Sequence, residues 1–492
     1  MPNILYIDVD SLRPDHLGCY GYDRPTSPNI DALAADGIVF TGVHASDTPC
    51  LPSRTALWSG RFGLVTGVVG HGGTVCEPRR QGETRAWAGT FLDEGLTGIL
   101  SRMGWHCATI SSFAERHGAW HWLAGWAEVQ VPRGRGHELA EEVSPRAIDF
   151  IERHAGKGPW FLHVNLWDAH TPYRTPESFG RPFDNAPLPA WLTEDVIAAQ
   201  LGSYGPHSAA EPLGWGTEPL PLRAPDRIED LGAAQAWFAG YDTGIAYADH
   251  HIGRILAALD ATGQAGDTIV VVSADHGENL GELNIWGDHQ TADAPTCNVP
   301  LVIRWPGAPG FRGRNDGLHY HFDWVATLLD RLGAQVPDVW HARSFAADLD
   351  AGRDGGRAAV VMGQGAWSAQ RGVRWREGAR DWLLLRTYDA GLKPLPPILL
   401  FDLATDPAEQ TDLAAAHPDA VGRGLTILDT WLVDTMAAAG IETDPMMTMI
   451  AEGGPYHVQN RTAAYLDRLR ATGRGHHADA IQAEAARFAH RR

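Results

Sequence analysis

Lysine is nearly missing from this chain. Only Lys157 and Lys393 occur in 492 residues, so arginine supplies almost all of the forty basic side chains. Heavy use of Arg, Ala and Gly fits a GC-rich coding sequence, so that bias alone carries no function. The basic residues are outnumbered by sixty acidic ones, for a formal net charge of −20. A field of that sign argues against nucleic acid or an anionic membrane as the main partner. It also means that an anionic substrate needs a local positive site. Cysteine is sparse as well. Cys19, Cys50, Cys76, Cys107 and Cys297 are odd in number and scattered, which excludes a disulfide scaffold and any zinc-ligand spacing. No apolar run approaches the roughly 18 residues of a membrane-spanning helix. The opening Met-Pro-Asn-Ile-Leu-Tyr-Ile-Asp reads as a strand rather than a charged segment before an apolar one. No secretory leader is therefore expected, and a cytoplasmic location is. Internal repeats and low-complexity tracts are lacking too.

Apolar residues are plentiful at 44%, enough for a large core. The length corresponds to about three domain-equivalents. Residues 3–9, 160–166, 268–273 and 299–304 read as buried strands, and 29–36, 143–154 and 233–259 as helices. Strands alternating with helices predict an α/β fold with a mostly parallel sheet flanked by helices. Residues 175–230, rich in Pro and Gly, read as an insertion or lid loop. After about residue 355 the pattern changes to short strands at 358–362, 371–376, 382–387 and 398–402, then a helix near 420–438. The expected organisation is a catalytic α/β domain over 1–355, a smaller antiparallel-sheet subdomain over 356–444 and a helical tail over 445–492. The tail is the expected route to a homo-oligomer.

Three clusters carry candidate chemistry. Asp8 and Asp10 end the first strand with both side chains on one face. Ligands of open α/β sheets sit beyond the carboxyl ends of strands. Two carboxylates there suit a hard cation, or are an ordinary polar strand end. Asp275-His276-Gly277-Glu278 directly follows another buried strand, so a carboxylate and an imidazole fall at an equivalent position. The third cluster is Cys50-Leu51-Pro52-Ser53-Arg54, ending at Gly60. Pro52 suits a first helical turn and Gly60 a helix end. Cys50 is then at a helix N-terminus, where free N–H groups favour an anion, with Arg54 one turn on. A structural cysteine is the common alternative; the Pro-Ser-Arg context favours chemistry. Trp120, Trp122 and Trp126 cluster near a histidine, where they either line a sugar or aryl pocket or fill core.

Cys50-x-Pro52-Ser53-Arg54 resembles the signature of the type I sulfatases of the alkaline phosphatase superfamily. Asn3-Ile4-Leu5 through Asp10-Ser11-Leu12-Arg13-Pro14-Asp15-His16 is similar to that family's first metal segment. Asp275-His276-Gly277-Glu278 resembles its second metal segment. Asp168-Ala169-His170-Thr171-Pro172-Tyr173 resembles the segment with a substrate-contacting histidine. The resemblance implies that Cys50 is oxidised to formylglycine by a formylglycine-generating enzyme, its hydrated aldehyde being the nucleophile. It implies one divalent cation, Ca2+ ahead of Mg2+ or Mn2+, on Asp10, Asp275 and His276. Arg54 would orient the diol, and His170 would contact the anion or protonate the leaving oxygen. The implied substrate is a small-molecule or saccharide sulfate ester. Phosphonate monoester and phosphodiester hydrolases with the same Cys motif are the alternative.

The chain departs from the family pattern in two ways. Ser11 stands where many members carry a second aspartate, which leaves Asp8 as a further candidate metal ligand. Two lysines that hold sulfate in many members have no counterpart. The corresponding stretches contain Ser112 and His117, and His289. His289 is the candidate replacement at the catalytic centre; His71, Ser112 and His117 are candidates for substrate binding.

Overall fold

The computed structural model describes residues 1–79, 90–132, 135–214 and 223–489. Its strands are β1 (Asn3–Val9), β2 (Ile38–His44), β3 (Asp47–Thr48), β4 (His106–Ile110), β5 (Glu128–Gln130), β6 (Trp160–Leu166), β7 (Thr268–Ser273), β8 (Asn279–Leu280), β9 (Trp286–Asp288), β10 (Leu301–Arg304), β11 (Gly313–Tyr320), β12 (Ala359–Gln364), β13 (Ala369–Glu377), β14 (Arg380–Asp389) and β15 (Ile398–Asp402).

The large sheet has the order β11-β2-β10-β7-β1-β6-β4-β5. Within it β10 runs against β7 and β2, and the other pairs are parallel. This is the α/β architecture expected from the sequence. β1, β6 and β7 are continuous apolar runs because parallel strands with helices on both faces bury both sets of side chains. Tyr6 of β1 stacks on Trp324 with ring centroids 5.2 Å apart and meets Trp58 edge-on at 5.3 Å. That contact seats helix Cys50–Ser59 and helix Asp323–Arg331 against the sheet. Helices Pro28–Ala35 and Ala140–His154 pack on the long helix Leu231–Ala261.

A second sheet, β15-β14-β13-β12-β3, is antiparallel except for β3, which pairs in parallel with β12. Its strand β3 comes from the chain just before Cys50, so a strand crosses the sequence division at residue 355. Helix Pro418–Ala439 covers this sheet. The tail folds back on its own chain. Met446 and Met449 pack with Val69, Val75 and Ala369, and Tyr465 and Leu469 with Leu392. Among the described residues no helix is long and apolar enough to cross a membrane.

Register explains where the site lies. Asp8 pairs with Asn165 on one side and Ser273 on the other, so β1, β6 and β7 end at the same level. Asp10, the Asp168–His170 segment and Asp275–His276 leave the sheet together at those three carboxyl ends.

Candidate active site

Helix Cys50–Ser59 is buried along its whole length. Pro52 lies in its first turn, where a missing N–H costs nothing, and Gly60 closes it at φ +63°. A Cβ at Gly60 would sit 2.3 Å from the Trp340 ring, so this end admits only glycine. Pro49 precedes the helix and offers no side-chain cap. The first-turn N–H groups thus open toward the site; that of Leu51 points at His71 Nε2, 3.5 Å away.

Arg54, one turn in, is fully buried and holds three carboxylates. Nε donates to Asp8 Oδ2 at 2.7 Å, and Nη1 to Asp10 Oδ2 at 3.1 Å and Asp275 Oδ2 at 2.6 Å. Its Nη2 and Asp8 Oδ1 have no partner among the described residues. Cys50 Sγ lies 3.1 Å from His276 Nε2. The ligand atoms of Asp10, Cys50, Asp275 and His276 all lie within 4.8 Å of one another. Asp8 stands one step back, its Oδ2 shared between Arg54 and His163 Nε2 at 3.3 Å. Ser53 ties the helix to this cluster by donating its hydroxyl to the Asp275 carbonyl at 2.6 Å.

Three buried carboxylates face one guanidinium, an excess of negative charge that is costly in a desolvated site. Burial alone would raise the Asp10 carboxyl, but Arg54, with His170 and His276, holds it well below the usual range. Asp275 is pushed up to about 7 by burial and by Asp10, against the pull of Arg54. An oxygen-rich set with surplus negative charge and one imidazole fits a divalent cation on Asp10, Asp275 and His276. Burial, then Asp10 and Asp275, push the Cys50 thiol well up, so a thiolate is disfavoured at this position.

On the other side of Cys50 lie His170 and His289, again with ligand atoms within 4.8 Å of Cys50 and each other. The His289 ring is 4.0 Å from that of His276 and 5.5 Å from that of His170. Asp288 accepts the His289 backbone N–H at 2.7 Å and pairs with His207 at 2.9 Å. Burial depresses both imidazoles, His170 to about 4 and His289 well below its usual value. An arriving anion raises the proton affinity of both rings.

The substrate-side candidates fall in different environments. His71 Nδ1 is 3.1 Å from His457 Nε2, and its ring is 4.7 Å from that of His117. Burial lowers His71 and His117 well below the usual imidazole range. Ser112 is buried, and its hydroxyl accepts the Gly136 N–H at 2.7 Å, holding a turn. Trp122 and Trp126 pack on Trp58, His163 and Phe161 in the core, whereas Trp120 is exposed.

Several residues of the site carry no signal in the sequence. His163 and Asn165, from β6, support Asp8 through its carboxylate and its carbonyl. His321 bonds Ser53 from the start of helix Asp323–Arg331. His457 arrives from the tail, stacked on Trp367 at 4.7 Å. Arg116 lies inside the stretch searched for a lysine substitute, and its guanidinium carbon is 5.1 Å from the Trp167 ring centroid.

Residues 2–334 match the family model for sulfatases. The chain is 28% identical to iduronate 2-sulfatase of Homo sapiens over 354 residues, 62% of this chain and 60% of that protein. It therefore spans about three fifths of the length of that relative. Identity is 26% over 446 residues to choline-sulfatase of Rhizobium meliloti, covering 84% of this chain and 82% of that one. Among solved structures, one in complex with its substrate D-glucosamine-2-N,6-O-disulfate superposes with a TM-score of 0.69 at 18% identity, covering 90% of this chain and 99% of that one. The phosphonate monoester hydrolase of Agrobacterium radiobacter gives 0.67 at 22% identity, covering 89% and 96%.

Proposed function

Because the chain belongs to the sulfatase family, we propose that it hydrolyses a carbohydrate sulfate ester with formylglycine, formed from Cys50, as nucleophile. The observation that carries this reading is the convergence of Cys50, Arg54, Asp10, Asp275 and His276 at one helix N-terminus. A divalent cation, which we take to be Ca2+, would be held by Asp10, Asp275 and His276. Such an ion lowers the pKa of a bound hydroxyl and polarises ester oxygens. Hydrated formylglycine supplies two hydroxyls on one carbon, one to attack sulfur and one whose collapse to the aldehyde releases sulfate. Arg54 orients that carbon through its unpartnered Nη2. His170 and His289, next to Cys50, hold the anion and give a proton to the leaving alcohol oxygen.

The test has two steps. Mass spectrometry of the peptide spanning Cys50, on protein made with a formylglycine-generating enzyme, is expected to find an aldehyde that hydrazine traps. An unmodified thiol would remove the nucleophile and the proposal with it. Parallel assays on 4-nitrophenyl sulfate and a phenylphosphonate monoester then decide between sulfur and phosphorus. Faster sulfate turnover supports the sulfatase reading, and faster phosphonate turnover replaces it with that of a phosphonate monoester hydrolase.

A further inference from the structure

A chain with two lysines must meet an anionic substrate with something else. Arg54 cannot serve as an outward-facing cation, because three carboxylates enclose it. Two other arginines stand at the site in a different condition. Arg116 Nη1 donates to the carbonyl of Arg135 at 2.7 Å, and Arg174 Nη2 to the carbonyl of Gly136 at 2.9 Å. Consecutive carbonyls of one turn therefore hold two guanidinium groups side by side. The turn is tight: Gly136 has φ +68°, and a Cβ there would meet Arg116 Nη1 at 2.9 Å and the Trp167 ring at 3.2 Å. Neither arginine pairs with a carboxylate among the described residues. Glu138, Asp168 and Asp10 act on Arg174 through space only.

Asp168 and Glu138 offset only part of the charge gathered at this turn. Two half-buried like charges repel, and burial followed by Arg116 already lowers the Arg174 guanidinium. Trp167 adds a second sign. Its ring is 99% buried and lies between reach of both Arg54 and Arg116, at 5.5 and 5.1 Å, and its Nε1–H has no partner. The guanidinium N–H groups beyond those two bonds and an unpartnered indole N–H are donors suited to an oxyanion. The scissile group already has His170, His289 and the carboxylate-bound cation position next to Cys50. Arg116 and Arg174 instead hang from the 135–136 turn and hydrogen-bond none of those residues, although the Arg116 charge reaches Cys50 and His170 through space.

We propose that Arg116 and Arg174 form a second anion subsite, which holds a sulfate or carboxylate group of the substrate other than the ester being cleaved. The inference rests on the sulfatase reading and narrows it: the substrate is a saccharide with at least two anionic groups. The subsite then accounts for the lost lysines by moving the recognition charge from the reacting group to its neighbour.

Calorimetry on the full chain with Cys50→Ala, which cannot turn ligands over, tests this with N-acetylglucosamine-6-sulfate, glucosamine-2-N,6-O-disulfate and iduronate 2-sulfate. The two dianions are the probes, and which of them binds better tells a sulfate subsite from a carboxylate one. At least one dianion is expected to bind about tenfold or more tighter than the monoanion. Arg174→Gln should remove most of that preference while leaving monosulfate affinity within about twofold; Arg116→Gln should weaken dianion binding more than monosulfate binding, and Arg116→Lys should restore part of it. Equal losses for mono- and dianions, no loss in either variant, or no preference in the parent overturn the subsite. A matured protein that binds the dianions yet hydrolyses no sulfate ester overturns the sulfatase reading instead and leaves the subsite standing.

Discussion

At the scale of single residues, Arg54 decides whether the site exists. Among the described residues its guanidinium is shared by three buried carboxylates. Removing one partner of a buried ion pair costs about 3–5 kcal/mol, because the remaining charge is stranded. Arg54→Met is therefore expected to lower the melting temperature sharply in EDTA and less so with saturating divalent cation, which takes over part of the neutralisation. A loss of the same size in both conditions would mean that no cation binds these carboxylates. Asp275→Asn tests the same site from the ligand side. For the parent protein, a cation at a hundredfold over its Kd adds about 2.7 kcal/mol. Asp275→Asn should abolish most of that gain in a thermal melt, and an undiminished gain would place the ion elsewhere. Much of this centre is legible in the sequence, because Asp10, Cys50, Arg54 and Asp275-His276 each carry a local signature: a strand end, or a helix start. Arg116, His163, His321 and His457 are not. Each owes its position to chain segments far away, and a lone His or Arg in sequence has no pattern that reports such a neighbour.

At the scale of elements, the strands that were easiest to read are those buried on both faces. Residues 160–166, 268–273 and 398–402 are strands with those same limits in the structure. Among those not read, β11 lacks an apolar run and β3 is too short to have one. β11 contains Gly313, Arg314, Asn315 and Asp316 and is held by pairing to β2 rather than by its own propensity. β3 is two residues long, and its partner β12 lies more than three hundred residues further on. Yet β3 is the link between the second sheet and Cys50. Its Asp47 is buried, accepts the Gly63 N–H at 2.7 Å and the Ser46 hydroxyl at 2.8 Å, and is pushed by burial up to about 6. A folded pKa above the unfolded value near 3.8 means that folding binds a proton between those limits. Asp47 thus contributes stability below about pH 4 that is lost as pH rises through about 6. Asp47→Asn removes this titration. The melting temperature of the variant relative to the parent is expected to rise between pH 4 and pH 7.5 and then level off. A difference that stays flat over that range would show that Asp47 ionises normally in the fold.

At the scale of the whole molecule, the tail packs against the rest of the chain. Several of its apolar side chains pack on the chain itself, with Met446 and Met449 under Val69 and Val75 and Tyr465 against Leu392. Glu211, buried in the Pro- and Gly-rich insertion, is satisfied by Tyr465, Arg468 and Arg474 of the tail. Deleting residues 445–492 would strand that carboxylate and open two small cores, so the deletion is expected to cost several kcal/mol and to report on folding before it reports on anything else. A point substitution separates the two roles. His457 is half-buried, reaches His71 Nδ1 at 3.1 Å and stacks on Trp367, but anchors no core cluster. Without it, His71 loses the bond that fixes its ring beside the Leu51 N–H at the helix start. One such hydrogen bond is worth up to about tenfold. His457→Ala should therefore lower kcat/KM by up to about that factor and leave the melting temperature within a degree or two of the parent. A variant that melts much earlier would make His457 a packing residue. A variant with unchanged kinetics on a saccharide sulfate would mean that the His71–His457 pair lies outside the path of the substrate.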